Sequence, residues 1–253
     1  MSPSPAATAR RSRSVRRSPG WVPNQHGAWA MLASPLLVGA LAGGASWAHL
    51  PLAAFWFAGY FAFFATSLWL KSRRKSRYWP PVRAYALVAA PLGLLTLVMD
   101  PGLAAWAPLF LAPLGVGLGA AAARRDRDVV AGVTTVVGSA LMTVVAYAAG
   151  PGVDITRAWL LALVQFAYFA GTVFYVKSAI RERHNPRFLM LSVAVHGGAT
   201  VLVSLVSWWL TAVFALLTVR AALVPRLGWS PKRIGIVEIV ATITVGVVSL
   251  LAV

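Results

Sequence analysis

Residues 187–224 read RFLMLSVAVHGGATVLVSLVSWWLTAVFALLTVRAALV, 38 residues without a charged loop between them. One bilayer crossing takes about 20 apolar residues, so this run is either one overlong span or two spans joined by a tight turn. The choice fixes the parity of the last helix and the side of the membrane on which the last basic cluster falls. Ser207-Trp208-Trp209 supplies a turn near the middle of the run, and tryptophans favour the membrane interface. Divided there, the run gives helices at 187–205 and 207–224.

Working outward, the other apolar runs and their breakers predict helices at 28–47, 51–70, 84–100, 103–123, 129–149, 158–177 and 234–253. The fold class expected is therefore all-α, a polytopic transmembrane helix bundle of about nine spans. Asp100-Pro101-Gly102 and Gly150-Pro151-Gly152 punctuate two turns as short helix connections do. Composition agrees, because 59% hydrophobic and 11% charged residues leave too little polar surface to solvate a globule of 253 residues. The mean hydropathy is +0.73. Cysteine is absent, so no disulfide framework, thiolate nucleophile or sulfur-ligated metal site is available. No cofactor is expected, and no metal-ligand set is visible.

The formal net charge of +17 is informative through its placement. Basic residues number five in the tail, six at 71–83, three at 124–127, four at 177–187 and four at 220–233, which leaves only Arg157 elsewhere. With nine spans and a cytoplasmic N-terminus, all of these groups lie inside and the C-terminus lies outside, as the positive-inside rule requires. A single span over 187–224 would strand the last group on the wrong face. The charge is thus an orientation signal and a basic cytoplasmic rim, attractive to anionic headgroups by about 1 kcal/mol per residue, and calls for no nucleic acid. Residues 1–22, rich in Pro, Ser and Arg, are expected to form a disordered tail ahead of a transmembrane domain at 23–253.

The stretch NQHGAWAM at 24–31, followed by a Pro-containing first span, resembles the YwiC-like family of bacterial integral membrane proteins, as do YVKSAIRERHNPRF at 175–188 and SPKRIGIVEI at 230–239. The resemblance covers nearly the whole chain after the tail and implies a multi-pass protein of the bacterial cell membrane; it implies no reaction. The layout is also similar to UbiA-type prenyltransferases, in which Asp-rich motifs after the second and sixth helices hold Mg²⁺ and a polyprenyl diphosphate. This chain departs from that pattern: KSRRKSRYWPP at 71–81 has no acid, and IRERHN at 180–185 offers only Glu182. Carboxylates are what such a cation needs. Arginine forks can hold a phosphate directly instead.

Asp126 and Asp128 in RRDRD read as a charge-balanced loop ahead of a helix, or as a catalytic pair. Ser230-Pro231 has the form of an N-cap followed by Pro at the first helical position, which puts Glu238 about two turns into the last helix. An unpaired carboxylate at that depth is costly, so Glu238 faces a polar cavity or an arginine. His49 and His184 read as solvated interface residues, whereas His196 falls near the bilayer middle and precedes Gly197-Gly198, which can bend a helix or admit a neighbour. Polar stripes run along three helices: Ser192, His196, Thr200 and Ser204; Gln165, Tyr168 and Thr172; and Thr135, Ser139, Thr143 and Tyr147. Interhelical hydrogen bonding and an internal polar pocket both account for them.

At the opening cluster, Asn24 reads as an N-cap that places His26 in the first turn of the first helix, where orphan amides favour anions. A helix cap alone is one reading. The other gathers Asn24, Gln25 and His26 with Lys177, Arg181, Glu182, Arg183 and Arg187 into a rim that grips an anionic headgroup, with Gln165, His196 and Glu238 below it. The function expected is binding of an anionic or isoprenoid lipid, with or without chemistry on it, and membrane lipids as the partners. The alternative is a carrier for a small solute, proton-coupled through His196.

Overall fold

The computed structural model describes residues 20–23 and 26–253, the side chain of His26 excepted. Among the described residues nine α-helices follow one another: α1 His26–Gly43, α2 His49–Lys71, α3 Trp79–Met99, α4 Leu111–Ala122, α5 Val129–Ala148, α6 Ile155–Ile180, α7 Pro186–Ser204, α8 Trp208–Leu223 and α9 Pro231–Ala252. Eight helical segments are long and apolar enough to cross a membrane, and α1 is a shorter apolar helix. The 38-residue run does divide. α7 ends at Ser204, and the Ser207 hydroxyl caps α8 by accepting from the Trp209 amide. Ser230 likewise caps α9, with Pro231 in its first turn, and Asn185 caps α7 ahead of Pro186.

Two spans depart from the sequence reading. The first helix stops at Gly43, not near residue 47, because Gly44 turns the chain at φ +88°. The fourth span is only half α-helix: Pro101–Phe110 is wound as a 3₁₀ segment that continues into α4. Pro108, inside this segment, has no amide to donate to an i−4 carbonyl.

Helices α5 and α6 form the middle of the bundle and are its most buried spans, whereas α3 and α7 turn apolar side chains outward to lipid. Helix α1 lies against α5 through Gly39 and Gly43, the small-xxx-small spacing that lets transmembrane backbones approach closely. A Cβ on Gly39 would stand 2.2 Å from the Thr143 carbonyl oxygen, and one on Gly43 would stand 2.4 Å from that of Tyr147. The Gly152 amide completes the seam by donating to the Gly43 carbonyl at 2.8 Å. On either side of this seam the molecule differs: α2 to α4 flank a cavity, and α6 to α9 close on a packed apolar core with one ion pair inside it.

Candidate functional site

The cavity side is built from aromatic residues. Phe55, Trp56, Tyr60, Phe63 and Phe64 on α2, with Trp106 and Phe110 on the 3₁₀ segment, line a space of about 720 Å³ that reaches Ser139 and Met142 on α5. Its walls are nearly all apolar, and Gly59 and Gly117 keep them thin. Two hydroxyls on its α2 wall, Tyr60 Oη and Ser67 Oγ, are buried and have no partner among the described residues. An apolar hollow with a few polar atoms placed inside it is the usual form of a ligand site.

At the basic end this cavity meets a second hollow of about 600 Å³, lined by Lys71, Ser72, Arg73, Lys75, Arg77, Tyr78 and Arg124. Leu68 and Lys71 belong to both walls, so the apolar cavity and the basic bowl adjoin there. The bowl is made by two helix ends. α2 terminates with the Arg73 amide donating to the Leu70 carbonyl and the Arg74 amide donating to Trp69; α4 repeats the pattern with Arg124 to Ala121 and Arg125 to Ala120. At both ends the left-handed positions are held by arginines, Arg73 at φ 61° and Arg74 at φ 59° after α2 and Arg124 at φ 60° after α4, where glycine is the usual choice. A non-glycine residue there costs roughly 1 kcal/mol or more. The cost is offset in part because the cations sit where helix carbonyls point.

Asp126 stands at the junction and accepts from Lys71 Nζ with both carboxylate oxygens at 2.8 Å. Asp128 starts α5, and its carboxylate pairs with Arg125 at 2.7 Å, not with the helix amides. Both acids are therefore charge-balanced. Arg124 Nε donates to the Lys71 carbonyl at 3.3 Å, which ties the two helix ends together. Arg73 and Lys75 make no ion pair among the described residues.

The other side of the seam holds an ion pair inside the bundle. Arg220 on α8 and Glu238 on α9 lie nine residues before and nine after Trp229, so the α8–α9 hairpin brings them to one depth. Arg220 Nη1 donates to Glu238 Oε1, and Glu238 Oε2 accepts from Thr172 Oγ1 at 3.0 Å and Tyr168 Oη at 3.3 Å. The guanidinium lies over the Tyr175 ring at 4.2 Å. Two charges at this depth persist because they neutralise one another and are hydrogen-bonded.

The residues singled out from sequence are thus separated. Glu238 faces an arginine, as its depth required. Gln165 is fully buried and accepts from Ser34 Oγ on α1 at 2.9 Å. His196 is buried, with Nδ1 on the Ser192 carbonyl at 2.8 Å. Its ring is admitted by Gly171 of α6, whereas Gly197 and Gly198 face open space. The polar stripes knit helices together only in part: Ser139 donates to the Met31 carbonyl and Thr200 meets Thr218 at 3.0 Å, whereas Thr135 and Ser204 donate to carbonyls of their own helices. His49, expected to be solvated, bridges helices: its Nε2 meets the Ala146 carbonyl at 2.7 Å while Nδ1 accepts from the Ser46 amide at 3.1 Å.

In the α6–α7 loop the charges shape the chain. Arg183 donates to the carbonyls of Ala179 and Trp229, Glu182 accepts from Asn185, and Lys177 lies over Phe188. Arg181 is exposed. Neither Lys177, Arg181, Glu182 and Arg183 nor Gln165, His196 and Glu238 line the cavity or the bowl. Asn24, Gln25 and the side chain of His26 fall outside the described residues, as does most of the tail. Sequence reading missed the bowl, whose signal was arginines at two helix ends that lack a glycine. It also placed Arg220 on the rim, although its equal distance with Glu238 from Trp229 was visible.

Known proteins place this architecture. No solved structure matches the chain. The family described as "YwiC-like protein" matches residues 22–147, which run from α1 through α5 and include the whole cavity wall up to Val145. Uncharacterized protein YwiC of Bacillus subtilis is 31% identical over 221 residues, 87% of this chain and 92% of that protein. An uncharacterized protein of Haemophilus influenzae is 25% identical over 222 residues, 87% of this chain and 93% of that one. With an all-helical bundle and a match that extends over nearly the full length of both chains, the protein belongs to the YwiC-like family and is a multi-pass membrane protein.

Proposed function

We propose that the protein binds an amphiphile with a phosphate-type head and a long apolar tail, the head in the bowl of Lys71, Arg73, Lys75, Arg77 and Arg124 and the tail among the aromatic residues of α2 and the 3₁₀ segment. The observation that carries this reading is that the two hollows adjoin, with Leu68 and Lys71 in the wall of each. A basic bowl alone would suit any anion, and an apolar cavity alone any hydrocarbon; joined, they fit a molecule that is both. Arginine forks match phosphate oxygens two at a time. Aromatic faces suit the unsaturated chain of an isoprenoid as well as an acyl chain. Lys71 supports the junction, since a phosphate can replace Asp126 as its partner. The basic end then faces the cytoplasm of a bacterial cell, the side the charge distribution favours.

Native mass spectrometry of the protein released from mild detergent tests this. A phosphate-bearing lipid should be retained by the wild type and lost from Gly59→Leu, which projects into the cavity from a position where an added Cβ meets nothing within 4 Å. The Arg73→Gly/Arg124→Gly variant should lose the same lipid while keeping its fold, because glycine relieves the left-handed backbone at each of the two. Equal retention by all three proteins would overturn the reading.

A further inference from the structure

The polar core of α6, α8 and α9 contains more donors than acceptors. Glu238 is fully engaged, one oxygen with Arg220 and the other with Thr172 and Tyr168. Arg220 is not. Its Nε and Nη2 are buried without a partner among the described residues, as is the Tyr175 hydroxyl, whose ring lies under the guanidinium. Nε and Nη2 form one edge of the guanidinium plane, the edge whose two parallel N–H bonds fit two oxygens of a carboxylate or phosphate. Glu238 occupies the other end, through Nη1 alone. A pair serving only to neutralise itself would gain from a bidentate contact on the free edge. This one leaves that edge unused in surroundings where unpaired donors are costly.

We propose that the Nε–Nη2 edge of Arg220 is a binding site for the oxyanion group of a small solute, and that Glu238 takes up one proton when the anion binds. Charge requires the coupling. The Arg220–Glu238 pair is neutral, so an added anion would leave one uncompensated negative charge in an apolar interior. If one proton passes from water to a Glu238 carboxylate oxygen, the site keeps its neutrality and Arg220 becomes the counter-ion of the solute. No other bond forms or breaks. The groups facing the pair are Tyr168, Thr172 and Tyr175 from α6 and Thr242 of α9 itself, and His196 of α7 stands edge-on to Tyr175 at 6.5 Å between ring centres. Glu238 is the acid among them. This site lies on the opposite side of the α1–α5 seam from the amphiphile cavity and does not depend on it.

Thermal unfolding of the purified full-length protein in detergent tests the proposal, with acetate or inorganic phosphate replacing chloride at constant ionic strength. Either oxyanion should raise the unfolding midpoint above that in chloride, and the larger shift identifies the solute as carboxylate- or phosphate-bearing. A pH series uses acetate, which stays ionised well above about pH 4. Coupling to one proton weakens its apparent affinity about tenfold per pH unit on the alkaline side. Arg220→Lys keeps a cation opposite Glu238 but lacks the fork, and should lose the protection. Glu238→Gln should keep it without the pH dependence, and this variant carries the test if Arg220→Lys does not fold. Protection no greater than in chloride, or undiminished in Arg220→Lys, overturns the site. Protection lost instead in Arg73→Gly/Arg124→Gly assigns the anion to the bowl and overturns it as well. A flat pH series in the wild type overturns the proton coupling.

Discussion

Lys71 with Asp126 and Arg220 with Glu238 are both cation–carboxylate pairs between neighbouring elements, on opposite sides of the α1–α5 seam. The first pair has side chains 35% and 30% exposed, at the mouth of a cavity; the second has 11% and 13%, between packed helices. Exposure decides what each can do. Water competes at the first pair, so its partners exchange at small cost and a ligand can take the place of one. At the second water does not compete, so any exchange of partner there must keep the charges balanced. The cavity side is thus adapted to receive a large molecule, and the core side to keep its charge neutral.

The widest predicted gap between the two regions is in stability. Arg220→Met leaves Glu238 buried and unpaired and should cost about 3–5 kcal/mol, whereas Lys71→Met should cost under about 1 kcal/mol; chemical unfolding in detergent measures both. Similar losses would erase the distinction. Next comes the seam that separates the regions. Gly39→Ala and Gly43→Ala push a methyl into the backbone of α5 and should each cost about 1–3 kcal/mol, while Gly59→Leu on the cavity wall should leave unfolding nearly unchanged.

A smaller effect, of opposite sign, sharpens the assignment of the bowl. Arg73→Gly and Arg124→Gly should each stabilise the fold by up to about 1 kcal/mol, even as lipid retention falls. A gain in stability accompanied by a loss of ligand would mark these arginines as retained for binding. The smallest effect belongs to the α6–α7 loop: Arg183→Ala removes two hydrogen bonds to carbonyls and should cost under about 1 kcal/mol, with lipid retention unaltered. Loss of lipid in that variant would return the headgroup to the loop.

Much of the bundle was legible because the bilayer sets the length of its helices. The turn at Ser207, the cap at Ser230 and the depth of Glu238 all follow from hydropathy and local chemistry. The sites were less legible, because each depends on which helix ends meet. Arg73 and Arg124 are 51 residues apart in sequence and meet only because α2 and α4 end side by side. Lys177 and Arg183 looked equally suited to an anion and are engaged in shaping a loop. Spacing along one helix revealed the polar stripes. It could not tell which of them open on a hollow, which bond to a neighbouring helix and which bond within their own.

The 3₁₀ winding of Pro101–Phe110 has a mechanical consequence. Ten residues at about 2.0 Å each reach some 5 Å further than the same residues at about 1.5 Å, so this segment acts as a spacer of fixed length along the far wall of the cavity. Pro108 weakens any α-helical rewinding, since it lacks the amide for an i−4 bond and its ring crowds the carbonyl four residues earlier. Trp106 and Phe110 are thereby held at set heights against α2, where Trp56 meets Phe110 edge to face at 6.0 Å between ring centres. The depth of the cavity is gauged by a ruler whose graduations are prolines.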